Sequence, residues 1–115
     1  MENKRKNKDF NPFNCGVVHF LNIVGGKWKV LVIYAVSKKC NRFSLLQKTI
    51  PHISKQMLIN QLRELEDDGL LERQIFAEVP PRVEYALTEY GNSMMSVILD
   101  IQKWGEKDLK EKCQI

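Results

Sequence analysis

Gln56, Asn60 and Arg63 stand four and three residues apart. On a helix that spacing carries all three side chains on one face, turned away from Leu58, Leu62 and Leu65. Glutamine and asparagine amides pair in two places with the edge of adenine, and a guanidinium does so with guanine. The chemistry that these types and this spacing allow is base reading in a DNA groove. Lys55, Met57 and Ile59 flank the same face, and Ser54 stands where its hydroxyl can accept from a free N–H of the first turn. The predicted DNA-facing set is therefore Ser54, Lys55, Gln56, Met57, Ile59, Asn60 and Arg63, with Arg82 added below. Taken alone, this helix is equally an ordinary amphipathic helix with a solvated polar face. Its far end carries Glu64, Glu66, Asp67 and Asp68. Carboxylates there oppose the helix dipole and repel phosphate, so the amino-terminal half is the half that enters a groove.

Arg82 follows Pro80-Pro81, and two prolines stiffen its approach. It is either a surface charge or a contact to phosphate or the minor groove, and beside a reading helix the contact is favoured. Cys15 stands at the start of an apolar helical run. Free N–H groups there favour a thiolate, which reacts with oxidants and electrophiles where a thiol does not. The bland alternative is a buried small hydrophobe. Cys40, beside Lys38, Lys39 and Arg42, is a rival reactive thiol, and Cys113 is a second rival or a resolving partner.

Other chemistries find no support. Cys15 and His19 share a helical spacing, but two ligands do not make a zinc site, and no metal is expected. Gly25-Gly26-Lys27 lacks the spacing and the hydroxyl residue of a phosphate loop. His52 belongs to a turn. No nucleophile, base and acid fall at readable spacing, so neither an enzyme nor a cofactor is expected.

The elements that position these residues read as follows. Val17, Phe20, Leu21 and Val24 mark a first helix, ended by Gly25-Gly26. A second runs from Lys27 to Ser37, with Trp28, Leu31, Val32, Ala35 and Val36 on one face. Ser44 is expected to cap a third helix, with Leu46 and Ile50 inward and Pro51 as its stop. Ser54 caps the fourth, and Gly69 ends it. From Leu70 the period becomes two. Leu71, Arg73 and Ile75, then Val83, Tyr85 and Leu87, mark two strands joined by a loop, Ala77 to Arg82. Thr88 is expected to cap one long last helix carrying Met94, Val97, Ile98, Ile101, Trp104 and Leu109. Four helices, a hairpin and a helix make a mainly α fold, the winged helix-turn-helix. The short Pro51-His52-Ile53 turn places the fourth helix as the reader.

The 115 residues suit one domain, expected over residues 15–112, preceded by a basic arm at 1–14 with Lys4, Arg5, Lys6 and Lys8. That arm is a solvated tail or a phosphate contact. The hydrophobic share is 43%, the charged share 28% and the net charge +4, which builds a core and suits an anionic partner without demanding one. The polar start shows no export signal, and the apolar run Val30 to Val36 is too short for a bilayer. A cytoplasmic protein with reduced thiols and no membrane partner is expected. The apolar stripe of the last helix is long for so small a chain to bury alone, which points to a homodimer.

The chain resembles the HxlR-type, MarR-like winged-helix transcriptional regulators. The resemblance rests on Cys15, Gly25-Gly26-Lys27-Trp28, Arg42-Phe43, Ile53-Ser54-Lys55-Gln56-Met57-Leu58 and Gln61-Leu62-Arg63-Glu64-Leu65-Glu66. It continues through Asp68-Gly69-Leu70-Leu71, Glu78-Val79-Pro80-Pro81-Arg82-Val83-Glu84-Tyr85 and Leu87-Thr88-Glu89-Tyr90-Gly91. It covers about Cys15 to Trp104, with Gly16 where the family often has proline. It implies a homodimer through the first and last helices, with Val17, Phe20, Val97, Ile98, Ile101 and Trp104 at the interface. It also implies binding to an inverted repeat in promoter DNA, repression as the default outcome, and Cys15 as sensor of an oxidant or small electrophile. The competing class is a winged helix that binds another protein and not DNA, which only the acidic half of the fourth helix favours.

Overall fold

The computed structural model describes residues 13–113; the arm cations Lys4, Arg5, Lys6 and Lys8 lie outside the described residues. Helix α1 (Gly16–Val24) turns at Gly25-Gly26 into α2 (Lys29–Ser37). Helix α2 packs against α3 (Phe43–Thr49), α4 (Lys55–Asp67), strand β2 (Arg82–Leu87) and helix α6 (Met95–Lys112). A helix covered from several sides is apolar over most of its circumference, and no single stripe describes it. Two expectations are corrected as a result. The helix starts at Lys29, with Trp28 as its N-cap residue. Ile33 is completely buried, whereas Leu31 is 42% exposed.

Helix α3 begins ahead of Ser44. Arg42 is its N-cap residue, without a side-chain capping bond, so Ser44 lies inside the first turn and does not cap. Leu46 and Ile50 are buried as their spacing predicts. Ile50 leaves the helix in an extended conformation, which the following Pro51 favours. His52 then takes a positive φ of 65°, a conformation that histidine adopts more readily than branched residues do. Ile53 drops into the core. The Ser54 hydroxyl accepts the Met57 N–H at 3.1 Å and starts α4. Leu58, Leu62 and Leu65 are buried. Beyond the helix, Gly69 adopts φ +79°, the left-handed turn that glycine takes without a side-chain clash.

Strands β1 (Leu71–Phe76) and β2 pair antiparallel, with Leu71 opposite Leu87 and Phe76 opposite Arg82. Arg82, expected in the loop, is therefore the first residue of β2, and the loop is 77–81. The hairpin is fastened at its flank, where the Tyr85 N–H donates to the Asn41 carbonyl at 2.8 Å.

The predicted long helix after Thr88 is in fact two, a short α5 (Glu89–Asn92) and α6. The Thr88 hydroxyl accepts the Gly91 N–H at 2.9 Å and donates to the Gly69 carbonyl at 2.6 Å. The Thr88 N–H reaches the Leu70 carbonyl at 3.1 Å. Gly91 lies so close to that carbonyl that a Cβ would collide with it. These contacts clamp α5 onto the junction of α4 and β1. The Ser93 hydroxyl donates to the Tyr90 carbonyl, competing with the next helical turn, and α6 starts afresh at Met95.

One apolar cluster joins Val24, Val32, Ile33, Leu46, Leu58, Leu65 and Leu70 to Met94 and Ile98. No polar or charged side chain is buried among the described residues. Ile98, expected at a dimer interface, is 2% exposed and belongs to the chain's own core, because α6 packs there against α2. No single helix among the described residues is long and apolar enough to cross a membrane.

Candidate nucleic-acid interface

The face of α4 opposite its three leucines is open. Ser54, Lys55, Gln56, Met57 and Arg63 are exposed, and Ile59 and Asn60 are half-buried. The Gln56 amide donates to the Asn60 carbonyl oxygen at 3.0 Å, so two side chains one turn apart are already aligned along the face. Gln61 donates to the Met57 sulfur at 3.4 Å. Toward the hairpin, Ile59 and Arg63 line a cleft of about 400 Å³ together with Phe43, Glu66, Arg73 and Tyr85. Burial pushes the Tyr85 phenol above its ordinary range, against the opposing pull of Arg73.

The acidic half of α4 has partners within the chain. Glu64 pairs with Lys29 at 2.8 Å, tying α4 to the start of α2, and Glu66 approaches Arg73 at 3.9 Å. Their spacing in the sequence marks charges that oppose the helix dipole, repel phosphate or suit a protein partner, and names no partner within the chain. The structure gives two of them a fastening role.

Arg82 stands at the base of the wing loop and is engaged on three sides. Its Nη2 meets Glu78 at 2.9 Å, its Nη1 meets Glu84 at 2.6 Å, and the guanidinium lies 4.0 Å over the Phe76 ring. The hydrogen bond to Glu78, above all, holds its pKa above the ordinary arginine value. Arg42 reaches the same Glu84 oxygen at 3.6 Å. Sequence reading missed this cluster. The spacing of Arg82 and Glu84 puts both on one face of a strand, which was legible; the arrival of Arg42 from a distant segment was not.

Cys15 is the N-cap residue of α1, half-buried and without a side-chain capping bond. Cys40 is half-buried at the edge of the core and accepts the Thr49 hydroxyl at 3.7 Å. Cys113 is exposed just beyond α6. Val17 and Leu21 of α1 and Val97, Ile101 and Trp104 of α6 are exposed apolar side chains, while Phe20 is half-buried against the core.

Comparison with known proteins agrees with this geometry. A family model described as HxlR-like helix-turn-helix matches residues 23–113. The HTH-type transcriptional regulator YdeP of Bacillus subtilis is 42% identical over 110 residues, which span 93% of this chain and 86% of YdeP. The structure of the redox regulator HypR in its oxidized form superposes with a TM-score of 0.76 at 40% identity, covering 81% of this chain and 96% of HypR. The reduced form of the transcriptional regulator YodB from B. subtilis gives 0.67 at 35% identity, covering 81% and 92%. With a capped reading helix, a two-stranded wing and these relatives, the chain belongs to the HxlR-like helix-turn-helix family of DNA-binding transcriptional regulators and is not an enzyme.

Proposed function

We propose that the chain is a cytoplasmic homodimeric repressor that binds an inverted repeat in double-stranded promoter DNA and responds to an oxidant or electrophile through Cys15. Residues 15–112 form the DNA-binding unit, with 1–14 as a basic arm. The observation that carries the reading is the open face of α4, where Gln56 and Asn60 are aligned by their mutual hydrogen bond. In this reading Gln56, Asn60 and Arg63 read bases, flanked by Met57 and Ile59. Ser54, Lys55 and Arg82 hold the backbone. The dimer forms through Val17, Phe20, Val97, Ile101 and Trp104, which sets the half-sites about one helical turn apart or a multiple of that.

Asn60→Ala is expected to relax base preference at one position of each half-site, a loss of about 1–3 kcal/mol in discrimination. Arg82→Ala is expected to weaken all sequences alike and to lower the salt slope by about one unit. Gel shifts of the two variants on the chain's own upstream DNA, across a range of salt, separate the effects. An exchange of the two patterns would reverse the assignment. A wild-type protein without salt-dependent DNA affinity would favour the protein-binding class.

The name of HypR as a redox regulator supports the sensing step, and Cys15 adjoins the exposed face of α1. A modification there can change how two copies pack and so the separation of their reading helices. Operator affinity is measured before and after diamide in the wild type and in Cys15→Ser, Cys40→Ser and Cys113→Ser. Loss of the response in Cys15→Ser alone is the expected result, and an unchanged response in that variant ends the sensor assignment.

A further inference from the structure

One carboxylate oxygen on β2 lies between two guanidinium groups from different parts of the chain. Glu84 Oε2 takes Arg82 Nη1 at 2.6 Å and Arg42 Nη2 at 3.6 Å. The neighbouring backbone bond from Tyr85 to Asn41 holds these two segments side by side. Glu84 is well covered, its side chain 19% exposed. Glu78 differs in every respect that matters. It stands on the wing loop, its side chain is 51% exposed, and one of its oxygens takes both Nη2 and Nε of Arg82, at 2.9 and 3.1 Å. A groove of about 740 Å³ opens between the wing and the start of α3, lined by Arg42, Ser44, Glu78, Pro80 and Arg82.

We propose that Glu84 is a positioning residue for DNA binding, that Arg42 is a second contact to the phosphate backbone, and that Glu78 competes with the phosphate for Arg82. The inference rests on the DNA-binding reading and deepens it. Two guanidinium groups repel unless an anion lies between them, and Glu84 supplies that anion from the covered side. It fixes the spacing of one cation from the wing and one from the α3 segment, and leaves their other edges toward the groove. The Nε–Nη2 edge of Arg82 is the edge that takes a carboxylate or a phosphate through paired hydrogen bonds. Glu78 occupies it in the free protein and, being the exposed partner, is the one that a backbone phosphate displaces.

The two acids therefore carry opposite expectations. If both acted only through their charge, removing either would tighten the binding of a polyanion. Positioning reverses the sign for Glu84 alone. The test uses the full chain and a labelled duplex of its own upstream DNA, titrated between about 50 and 200 mM salt. Glu78→Gln is expected to bind roughly threefold tighter or more, and Glu84→Gln roughly fivefold weaker or more, although both gain the same charge. Arg42→Ala is expected to lower the salt slope by about one unit, as a lost phosphate contact does. Glu84→Asp, which keeps the charge, is expected to bind more tightly than Glu84→Gln, the reverse of the order that net charge alone predicts. Tighter or unchanged binding by Glu84→Gln, or an unchanged slope in Arg42→Ala, overturns the proposal while the wild type still binds. Should Glu84→Gln fail to fold, the Arg42 slope and the Glu78 affinity decide. A wild type that binds no DNA overturns the underlying reading, and this assignment with it.

Discussion

Trp104→Ala is expected to weaken self-association by roughly a hundredfold while leaving the chain's own core intact. The ring is 71% exposed, so truncating it removes little from the packing of the single chain. Val97, Ile101 and Trp104 lie four and three residues apart on α6, which lines them up as one stripe. Val17 and Leu21 of α1 add further exposed apolar surface. A large exposed aromatic ring in such a stripe is the kind of anchor whose removal costs about 3 kcal/mol, close to a hundredfold in a dissociation constant. Sedimentation velocity at micromolar concentration reads the result directly. A wild-type chain that sediments as a stable monomer there would remove the basis for the expected dimer. Ile98 is no substitute as a probe, because its substitution would damage the core of each chain.

Gly91→Ala is expected to cost about 3 kcal/mol or more of folding stability, a large share of what a small domain has. The added methyl would meet the Leu70 carbonyl, which is backbone and already accepts the Thr88 N–H at 3.1 Å. Relief requires α5 to lift away, which breaks the Thr88 bonds to Gly69 and Leu70 together. Overpacking against a fixed carbonyl lies at the upper end of such costs. Thermal unfolding followed by circular dichroism should show a fall of about 10 °C or more. A midpoint within experimental scatter of the wild type would show that α5 is not clamped in solution.

The reading helix was legible because its signals are local. Ser54, the leucines at 58, 62 and 65, and Gly69 mark its start, buried face and end within one stretch of chain. Other elements depended on partners the sequence does not name. The apolar run of α2 is covered from several sides, so the single face drawn through Leu31 left out Ile33, which the elements around it bury. The capping signal at Thr88 is the same for a four-residue helix as for a long one, and the break after α5 comes at Ser93, whose hydroxyl bonds back to the Tyr90 carbonyl. Ile98 and Ile101 look alike in a periodic stripe, yet one faces the core and the other does not. At the wing, the spacing of Arg82 and Glu84 made their pairing legible, but the arrival of Arg42 at the same carboxylate was not, because the chain brings it in from far upstream.

The way α6 is supported has a thermodynamic consequence. Its first turns are held through Met95 and Ile98, but from Leu99 to Lys112 every side chain is exposed or only half-buried. That stretch is about 14 residues, some 21 Å of helix, and the pairing of Asp108 with Lys112 at 3.9 Å adds only a few tenths of a kcal/mol. A free helix of that length is marginal in water, because nucleation is costly and little burial offsets it. When two copies cover each other's exposed stripe, the ordering of this end and the association become one linked equilibrium. Dilution then lowers the helix content of the chain with no denaturant present, and any ligand that favours the paired state also stiffens each α6 from Leu99 onward.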